Sequence, residues 1–441
     1  MISFDIKREM ICENISRAEN GELLFAGQSV ARLAQKHGTP LYLYDEERIR
    51  ERCRTYLSAM KEGFGDRAQV LYASKAASFR RLYEIMREEG MGIDVVSSGE
   101  IYTARLAGFP LERAYFHSNN KTDYDIEYAI NSGVGYFVVD NEEELLAINA
   151  ISKEIGVKKT VLLRITPGID PHTYAAVATG KVDSKFGSAI ETGQAMAITA
   201  LALSLESVEL AGFHCHVGSQ VFDSDVYIRA AEVMLNFVRE VKDELGFLAS
   251  ELDMGGGYGV RYVESDPEID IRANILSVAG FMKSYAEKLQ ITLPKISLEP
   301  GRSIVADAGM TVYTVGTVKR IPAYKNYVSV DGGMTDNPRF ALYGSAYTVL
   351  PVRAPVGDGA MSVSVVGRCC ESGDIIQENV PMPDDIKRGD LVATLTTGAY
   401  NYSMASNYNR LARAAVVMLS DGDDYVAVRR ETVEDIARLD V

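Results

Sequence analysis

Three consecutive segments of the sequence indicate the fold: VLYASK (70–75), FRRLYEIMREEG (79–90) and GIDVVSS (92–98). The first and third of these segments are short, apolar and rich in β-branched residues, which is typical of buried strands. The middle segment has apolar residues at i, i+3, i+4 and i+7 with charges opposite them, which is typical of an amphipathic helix. Strand, helix and strand in this order predict a parallel βαβ unit.

The alternation of strands and helices continues along the chain. Six further strand candidates follow: AYFHSNN (114–120), GYFVVDN (135–141), TVLLRITPG (160–168), AGFHCHVGSQ (211–220), ELDMGGG (251–257) and KISLEPGR (295–302). Amphipathic helices are predicted between them, for example at SGEIYTARLAG (98–108), EEELLAINAISKEIG (142–156) and VYIRAAEVMLNFVREVKDELG (226–246). Eight such repeats predict an α/β fold, a (β/α)8 TIM-type barrel over residues 41–304. A doubly wound open sheet is the alternative arrangement.

A different pattern begins after Gly301. Strand-like segments with turns between them replace the alternation, at YTVGTVKR (313–320), NYVSVDGG (326–333), MSVSVVGR (361–368) and DLVATLTTGAY (390–400). We therefore predict a second, mostly β domain of sandwich or barrel type over residues 305–441. Residues 1–40 contain the strand-like ELLFAGQ (22–28) and are expected to join this domain.

Composition excludes several functional classes. The chain has 441 residues and a formal net charge of −15, and its basic residues are scattered singly, so nucleic acid is not an expected partner. No run of 18 apolar residues occurs and the first residues contain no apolar signal region, so we expect a cytoplasmic protein without membrane contact. The five cysteines are sparse and show no C-x-x-C spacing, so neither a disulfide framework nor a metal site is expected.

Polar residues at the ends of the predicted strands are candidates for chemistry, because the carboxyl ends of barrel strands carry the active site. Lys75 ends the first strand, where desolvation would favour a neutral amine able to form a Schiff base. A solvated loop lysine is the alternative reading. Gly255, Gly256 and Gly257 follow another strand, and their backbone N–H groups suit a phosphate, with Ser219 as a further donor. A plain tight turn is the alternative.

Two further strand ends carry charged or titratable groups. Glu299 precedes Arg302 by three residues, so the acid and the guanidinium either face one cavity or form a structural salt bridge. His214 and His216 alternate along one strand and share a face, with His216 nearer the rim. Ordinary buried, hydrogen-bonded histidines are the alternative.

Taken together, six motifs resemble the diaminopimelate decarboxylase family, which uses pyridoxal phosphate and has the alanine-racemase-like fold. The motifs are YASKA (72–76), HVGSQ (216–220), GGGYG (255–259), EPGR (299–302), CESGD (370–374) and GAY with SNYN (398–409). They occur in order over residues 40–410. The resemblance implies decarboxylation of meso-2,6-diaminopimelate to L-lysine and carbon dioxide, the last step of lysine biosynthesis.

The resemblance also implies roles at the cofactor, pyridoxal 5′-phosphate. Lys75 attaches the cofactor covalently, His216 stacks on its ring, and Glu299 bonds the ring nitrogen. A carboxylate at that position keeps the ring cationic, as an electron sink requires. The residues assigned to the phosphate end are Ser219, Gly255, Gly256, Gly257, Gly301 and Tyr400, and Arg302 is also assigned to the cofactor.

At the substrate, the segment TDNPRFALY (335–343) is similar to the segment of the family that binds the distal carboxylate. Arg302, Arg339, Tyr343 and Tyr400 are assigned to the substrate, and Glu371 accepts its distal ammonium. Cys370 is the candidate proton donor to Cα, a role that requires an accessible thiol. The family's CESGD segment reaches the neighbouring subunit, so a homodimer with shared active sites is implied.

Three alternatives to this function stay open. The first is another decarboxylase of the same fold, which acts on ornithine, lysine, arginine or a carboxylated polyamine. The second is a non-catalytic cofactor-binding or regulatory protein on the same scaffold. The third is a Schiff-base barrel enzyme without a cofactor, which would leave Glu299 and the glycine run without a role.

Overall fold

The computed structural model describes residues 11–169, 185–356 and 359–441. Its strands are β1 Ile15–Arg17, β2 Leu23–Phe25, β3 Gln28–Ser29, β4 Leu41–Asp45, β5 Ala68–Ala73, β6 Gly92–Val95, β7 Ala114–Phe116, β8 Tyr136–Val139, β9 Lys159–Thr166, β10 Ser188–Ala189, β11 Val208–His214, β12 Glu251–Asp253, β13 Lys295–Leu298, β14 Gly309–Ile321, β15 Lys325–Val330, β16 Val349–Pro351, β17 Ala360–Val366, β18 Ile375–Pro383, β19 Leu391–Leu395, β20 Ala415–Ser420 and β21 Asp423–Val428. Its helices are α1 Val30–His37, α2 Glu46–Phe64, α3 Arg80–Glu88, α4 Ser98–Leu106, α5 Asp123–Asn131, α6 Glu142–Ile155, α7 Gln194–Ser204, α8 Ser224–Leu245, α9 Ile271–Leu289, α10 Arg302–Val305, α11 Arg339–Tyr343 and α12 Val433–Ala437.

The chain divides into two compact units. The barrel unit comprises Arg52–Gly259 and Ile269–Gly301. The β unit comprises the described residues up to Glu51, then Val260–Glu268 and Arg302–Val441. The division therefore falls within helix α2, between Glu51 and Arg52.

The barrel unit is a closed parallel sheet. Its strands follow the order β9-β11-β12-β13-β5-β6-β7-β8, and β8 pairs with β9 to complete the circle. The eight strands are the eight segments that the sequence pattern selected, and the predicted TIM-type barrel is confirmed. Side chains from strands β5, β7, β8, β9 and β11 form a buried cluster in this sheet: Leu71, Tyr115, Val138, Leu162 and Ala211.

Local capping signals explain where the helices of the barrel unit begin and end. The side chains of Ser97 and Asn141 accept hydrogen bonds from backbone N–H groups in the first turns of α4 and α6. Thr122 and Asp125 form a reciprocal capping box at the start of α5. Gly156 closes α6 in the left-handed conformation. The starts of α4 and α6 thus follow closely on the ends of β6 and β8, which places their capping residues at one rim of the barrel.

The β unit is built around β14, a strand of 13 residues. Its first half pairs with β4 and β19, and its second half pairs with β15, so one strand connects two parts of a nine-stranded sheet. Two apolar clusters lie on these parts, one around Leu43, Met310 and Val417 and the other around Val328 and Val365. The prediction of a mostly β second unit is confirmed.

The boundaries of the units differ from the predicted ranges at both ends. Strand β4 lies within the predicted barrel range of 41–304 but pairs with β14 and β20 in the β unit, because no neighbouring barrel strand is left unpaired once eight strands close. The ELLFAGQ segment forms β2, which pairs with β1 and β3 in a separate three-stranded sheet rather than in the nine-stranded one. In the described ranges, no helix combines the length and apolar character needed to cross a bilayer.

Candidate functional site

The carboxyl ends of the barrel strands bring together five titratable side chains from distant parts of the sequence. These are Lys75 after β5, Asp94 in β6, His117 after β7, His214 at the end of β11 and Glu299 after β13. Parallel strands all present their carboxyl ends at the same rim, so the fold itself collects these groups.

Lys75 forms an ion pair with a buried carboxylate. Its Nζ atom lies 3.1 Å from Oδ2 of Asp94, whose side chain is inaccessible to solvent. The side chain of Lys75 is itself 45% exposed. The desolvation that we expected for this amine is therefore not found, because the lysine sits on a short 3₁₀ turn, Ser74–Ala76, that leaves it open to water. An accessible amine next to a fixed carboxylate still suits attack on a carbonyl compound.

Glu299 lies between two imidazoles. Nε2 of His117 is 2.7 Å from its Oε1 atom, without the alignment of a hydrogen bond, and Nε2 of His214 is 3.1 Å from Oε2. Burial alone would raise the pKa of the Glu299 carboxyl, but the two imidazoles outweigh it and hold that pKa well below its ordinary value. The carboxylate is thus a buried anion at neutral pH.

Burial also decides the charge of His214. It lowers the pKa of this histidine to about 4 against the opposing attraction of Glu299. The neutral imidazole therefore donates its Nε2 hydrogen to Glu299, which fixes its tautomer. The ligand atoms of His117, His214 and Glu299 lie within 4.8 Å of one another, a spacing that would also suit a divalent cation.

The glycine run lies beside His216. The N–H of Gly256 donates to Nδ1 of His216 at 3.3 Å, and the N–H of Gly255 donates to Oδ1 of Asp253 at 2.8 Å. Burial and the nearby Lys75 ammonium hold the pKa of His216 well below its ordinary value, so its ring is neutral. A neutral, oriented imidazole can lie flat against an aromatic ring without repelling a cationic one.

Only some of the backbone N–H groups expected to bind the phosphate of pyridoxal phosphate are free to do so. The N–H groups of Gly255 and Gly256 are already committed to protein acceptors, whereas those of Gly257 and Gly301 donate to no other described residue. Gly257 has a φ of +113°, and a Cβ atom there would overlap the carbonyl of Gly218. This cofactor has three functional ends, and the rim offers a group suited to each. These are the two free N–H groups for the phosphate, Glu299 for the ring nitrogen and Lys75 for the carbonyl carbon.

The β unit holds the predicted arginines. Arg302, which begins α10, is buried and donates from Nη1 to the hydroxyl of Tyr262 at 2.7 Å. Its guanidinium carbon lies 4.7 Å from the ring centroid of Tyr400. Tyr400 has a φ of +60°, a conformation that costs a non-glycine residue free energy and that clusters at functional positions.

Arg339 is the most unusual charge in the β unit. It is only 7% exposed, yet no carboxylate of the described residues pairs with it and its Nε atom has no hydrogen-bond acceptor. Its neighbours are the rings of Tyr343 and Tyr400, at 5.2 and 5.3 Å, and the hydroxyl of Ser345 at 3.4 Å. A nearly buried cation without a counter-ion is costly unless a ligand supplies the anion.

The predicted proton donor and ammonium acceptor lie on an exposed turn of the β unit. Cys370 is exposed, and its backbone N–H donates to Asn409 Oδ1 at 2.7 Å. Glu371 is exposed as well, and its carboxylate accepts hydrogen bonds only from Ser372 and Gly373 within the described residues. The adjacent Cys369 is partly buried, and burial raises its pKa to about 12, so it stays protonated. Among the five cysteines, all of which lie in the described ranges, only Cys370 has an exposed side chain.

The sequence pattern did not predict two residues and one contact of this site. Asp94, His117 and the contact of His214 with Glu299 emerge only in the structure. A signal was present, because Asp94 and His117 lie inside two of the apolar strand segments, where a charged or titratable residue needs a partner.

Comparison with known proteins agrees with this geometry. The pyridoxal-binding domain model of the pyridoxal-dependent decarboxylases matches residues 46–306. The diaminopimelate decarboxylase of Bacillus subtilis is 43% identical over 423 residues, which cover 96% of each chain. The diaminopimelate decarboxylase of Staphylococcus aureus is 42% identical over 419 residues, which cover 95% of this chain and 97% of its own.

A solved structure is similar over the same length. The crystal structure of diaminopimelate decarboxylase from M. jannaschii in complex with L-lysine has a TM-score of 0.90 and 32% identity, and the match covers 97% of this chain and 98% of that chain. With the barrel, the lysine at its rim and these full-length relatives established, the chain belongs to the diaminopimelate decarboxylase family of pyridoxal-dependent decarboxylases.

Proposed function

We propose that this protein converts meso-2,6-diaminopimelate to L-lysine and carbon dioxide, the last step of lysine biosynthesis, in the cytoplasm and with pyridoxal 5′-phosphate as cofactor. The observation that carries the proposal is Arg339, a nearly buried guanidinium without a carboxylate partner among the described residues. Diaminopimelate has a second carboxylate at the end away from the reacting centre. A planar guanidinium binds such a group through two parallel hydrogen bonds.

At the reacting end, Lys75 is the proposed attachment residue. When bound, pyridoxal phosphate supplies the electron sink for the electron pair that the departing carboxylate leaves on Cα. Glu299, which its imidazole neighbours keep ionised, is proposed to accept a hydrogen bond from the ring nitrogen and to keep a proton on it. His216 is proposed to cover one face of the ring and to exclude water from it.

For the phosphate, the proposed ligands are the free N–H groups of Gly257 and Gly301 and the hydroxyls of Ser219 and Tyr400. Arg302 adds a positive charge that stays ionised, since its tyrosine neighbours raise its pKa against the effect of burial. Gly255 and Gly256 support the loop through their bonds to Asp253 and His216 instead of donating to the phosphate.

At the distal end, Arg302, Arg339, Tyr343 and Tyr400 are proposed to hold the carboxylate of the substrate, and Glu371 its ammonium. Cys370 is the proposed source of the proton that replaces the lost carboxylate on Cα, in keeping with its exposed thiol. The chain is proposed to act as a homodimer in which the turn with Cys370 and Glu371 serves the active site of the partner subunit.

A rival function is decarboxylation of ornithine, lysine, arginine or a carboxylated polyamine. Such substrates would leave Arg339 without an anion, because they have no second amino acid centre. The burial of Arg339 therefore favours the dicarboxylate.

The deciding experiment is carbon dioxide release by purified, cofactor-loaded protein. Meso-diaminopimelate, L-ornithine, L-lysine and L-arginine are offered separately, and the amine product is identified by mass spectrometry. Release from diaminopimelate alone, with L-lysine as product, is the expected result. Release only from a monocarboxylic substrate would contradict the roles of Arg339 and Glu371, while the fold and the attachment residue would stand.

A further inference from the structure

One buried carboxylate in the β unit holds two separate backbone segments. Asp374 is 3% exposed, and its Oδ1 atom accepts the N–H of Met334 at 2.6 Å. Its Oδ2 atom accepts the N–H of Cys369 at 2.7 Å. Each oxygen thus serves a different stretch of chain. We refer to residues 332–339 as the arginine segment and to residues 367–374 as the cysteine segment.

The two segments pack closely around this carboxylate. A Cβ atom on Gly333 or on Gly367 would overlap the carboxylate oxygens of Asp374, so glycine is needed on both sides. Gly333 also has a φ of +152°, at the edge of the region that other residues rarely adopt. A direct backbone bond, from Arg368 N to Gly332 O at 2.9 Å, runs parallel to the carboxylate bridge.

Both segments lead to residues with proposed roles. The arginine segment continues into α11, which begins at Arg339, and the backbone N–H of Asn337 closes it on Gly333 O at 2.8 Å. The cysteine segment contains Cys370 and Glu371 and is closed by the bond from Gly367 N to Asp374 O at 3.0 Å. A shift of the Asp374 carboxylate would therefore move both segments.

We propose that Asp374 is a positioning residue that supports both active sites of the dimer from within one subunit. This inference rests on the proposed function, in which the arginine segment serves the site of its own subunit and the cysteine segment serves that of the partner. Through one oxygen Asp374 places Arg339 for one substrate molecule. Through the other it places Cys370 and Glu371 for a second substrate molecule.

The substitution Asp374→Asn tests the bridge with little change in volume. An amide turns a donor NH2 group towards one of the two backbone N–H groups, and the repulsion between these donors displaces the side chain from both segments. Gly367→Ala is a second variant, since it keeps the charge of Asp374 while its Cβ atom would overlap both that carboxylate and the backbone of Gly333.

Hybrid dimers separate the two effects. Subunits with different affinity tags are mixed, and heterodimers that carry Lys75→Ala in one subunit are purified, so that a single site can work. In the first hybrid, the subunit with intact Lys75 carries Asp374→Asn, and only its arginine segment affects the working site. In the second, Asp374→Asn is in the Lys75→Ala subunit, and only its cysteine segment affects the working site.

We expect different kinetic changes in the two hybrids relative to a Lys75→Ala hybrid with an unaltered partner. The first should raise KM for diaminopimelate by about tenfold with little change in kcat, because binding of the distal end is impaired. The second should lower kcat by about tenfold, because proton delivery is impaired. Gly367→Ala in the same two arrangements should reproduce this split.

Asp45→Asn is the matched control. Asp45 is 6% exposed in the same unit, and its two oxygens likewise accept one bond each, from Arg48 N and from Asn14 Nδ2. Its hybrids should match the reference. The two-site role is overturned if either Asp374→Asn hybrid also matches the reference. It is overturned as well if both hybrids show the same changes in kcat and KM together with a lower melting temperature. Failure of Lys75→Ala and Glu371→Ala subunits to complement each other would instead overturn the shared sites, and this inference with them.

Discussion

The Nε2 atom of His214 lies 3.1 Å from Oε2 of Glu299, although 85 residues separate the two in sequence. The imidazole is neutral and the carboxylate is charged, so the pair is a charge-assisted hydrogen bond inside the barrel rather than an ion pair. His117 and this contact with His214 keep the carboxylate of Glu299 charged where it would meet the proposed cofactor nitrogen.

Replacement of Glu299 by glutamine should lower kcat by about a hundredfold, because the amide cannot hold a proton on the ring nitrogen. Steady-state decarboxylation with saturating cofactor measures the change. Glu251→Gln is the matched control, since Glu251 is equally buried but lies at the start of β12, where it accepts bonds from Tyr115 and Ser297. A Glu299→Gln protein within threefold of the unaltered activity would contradict the role.

The pKa of His214 makes stability depend on pH. Its folded value of about 4 lies below the unfolded value of 6.5, so the unfolded chain takes up the proton first as pH falls. The free energy of unfolding should therefore decrease from pH 6.5 towards pH 4, by about 3 kcal/mol from this residue, and should gain nothing above pH 6.5. In His214→Gln this part of the decrease should be absent. Urea unfolding at several pH values measures both curves, and parallel curves would contradict the expectation.

Lys75→Ala should abolish both turnover and the visible absorption band of the bound cofactor, because no other amine is expected to take its place. Lys75→Arg is the informative companion, since it keeps a cation beside Asp94 but cannot attach the cofactor. Both variants should behave alike in absorption spectra and in carbon dioxide release. A visible band or turnover retained in either would contradict the attachment role.

Arg339→Ala should raise KM for diaminopimelate by about tenfold to a hundredfold, because the distal carboxylate loses a charged hydrogen-bond partner. The product L-lysine keeps that carboxylate, so its inhibition should weaken in parallel. Inhibition by 1,5-diaminopentane, which has no carboxylate, should change little. Arg339→Lys keeps the charge but not the planar fork, and an intermediate effect is expected. If inhibition by L-lysine and by 1,5-diaminopentane weakens equally, Arg339 does not bind the carboxylate.

Mixed Lys75→Ala and Glu371→Ala subunits should recover activity, because each heterodimer regains one intact shared site. Random pairing of equal amounts makes half of the dimers heterodimers with one working site of two, or roughly 25% of the unaltered activity. Each variant alone, assayed at the same concentration, provides the baseline. Activity that stays at this baseline after mixing would argue against sites shared between subunits.

Much of the fold follows from periodicity alone. Alternating apolar runs and helical stretches identified all eight barrel strands, because a strand buried on both faces must be apolar throughout and each crossover helix must have one apolar face. The position of Lys75 at a strand end followed in the same way. The predicted barrel range of 41–304 also contains β4, LYLYD (41–45), which pairs with β14 in the β unit, and strand pairing cannot be inferred from apolar pattern alone.

The sequence by itself determined which residue types stand at the strand ends, and so the class of chemistry at the rim. Only the tertiary structure decided which of them meet. Asp94 reaches Lys75, and His117 reaches Glu299 over 182 residues, because the barrel brings the carboxyl ends of all its strands to one rim. The absence of a carboxylate partner for Arg339 among the described residues is likewise invisible in sequence, since burial and pairing depend on what packs around a side chain.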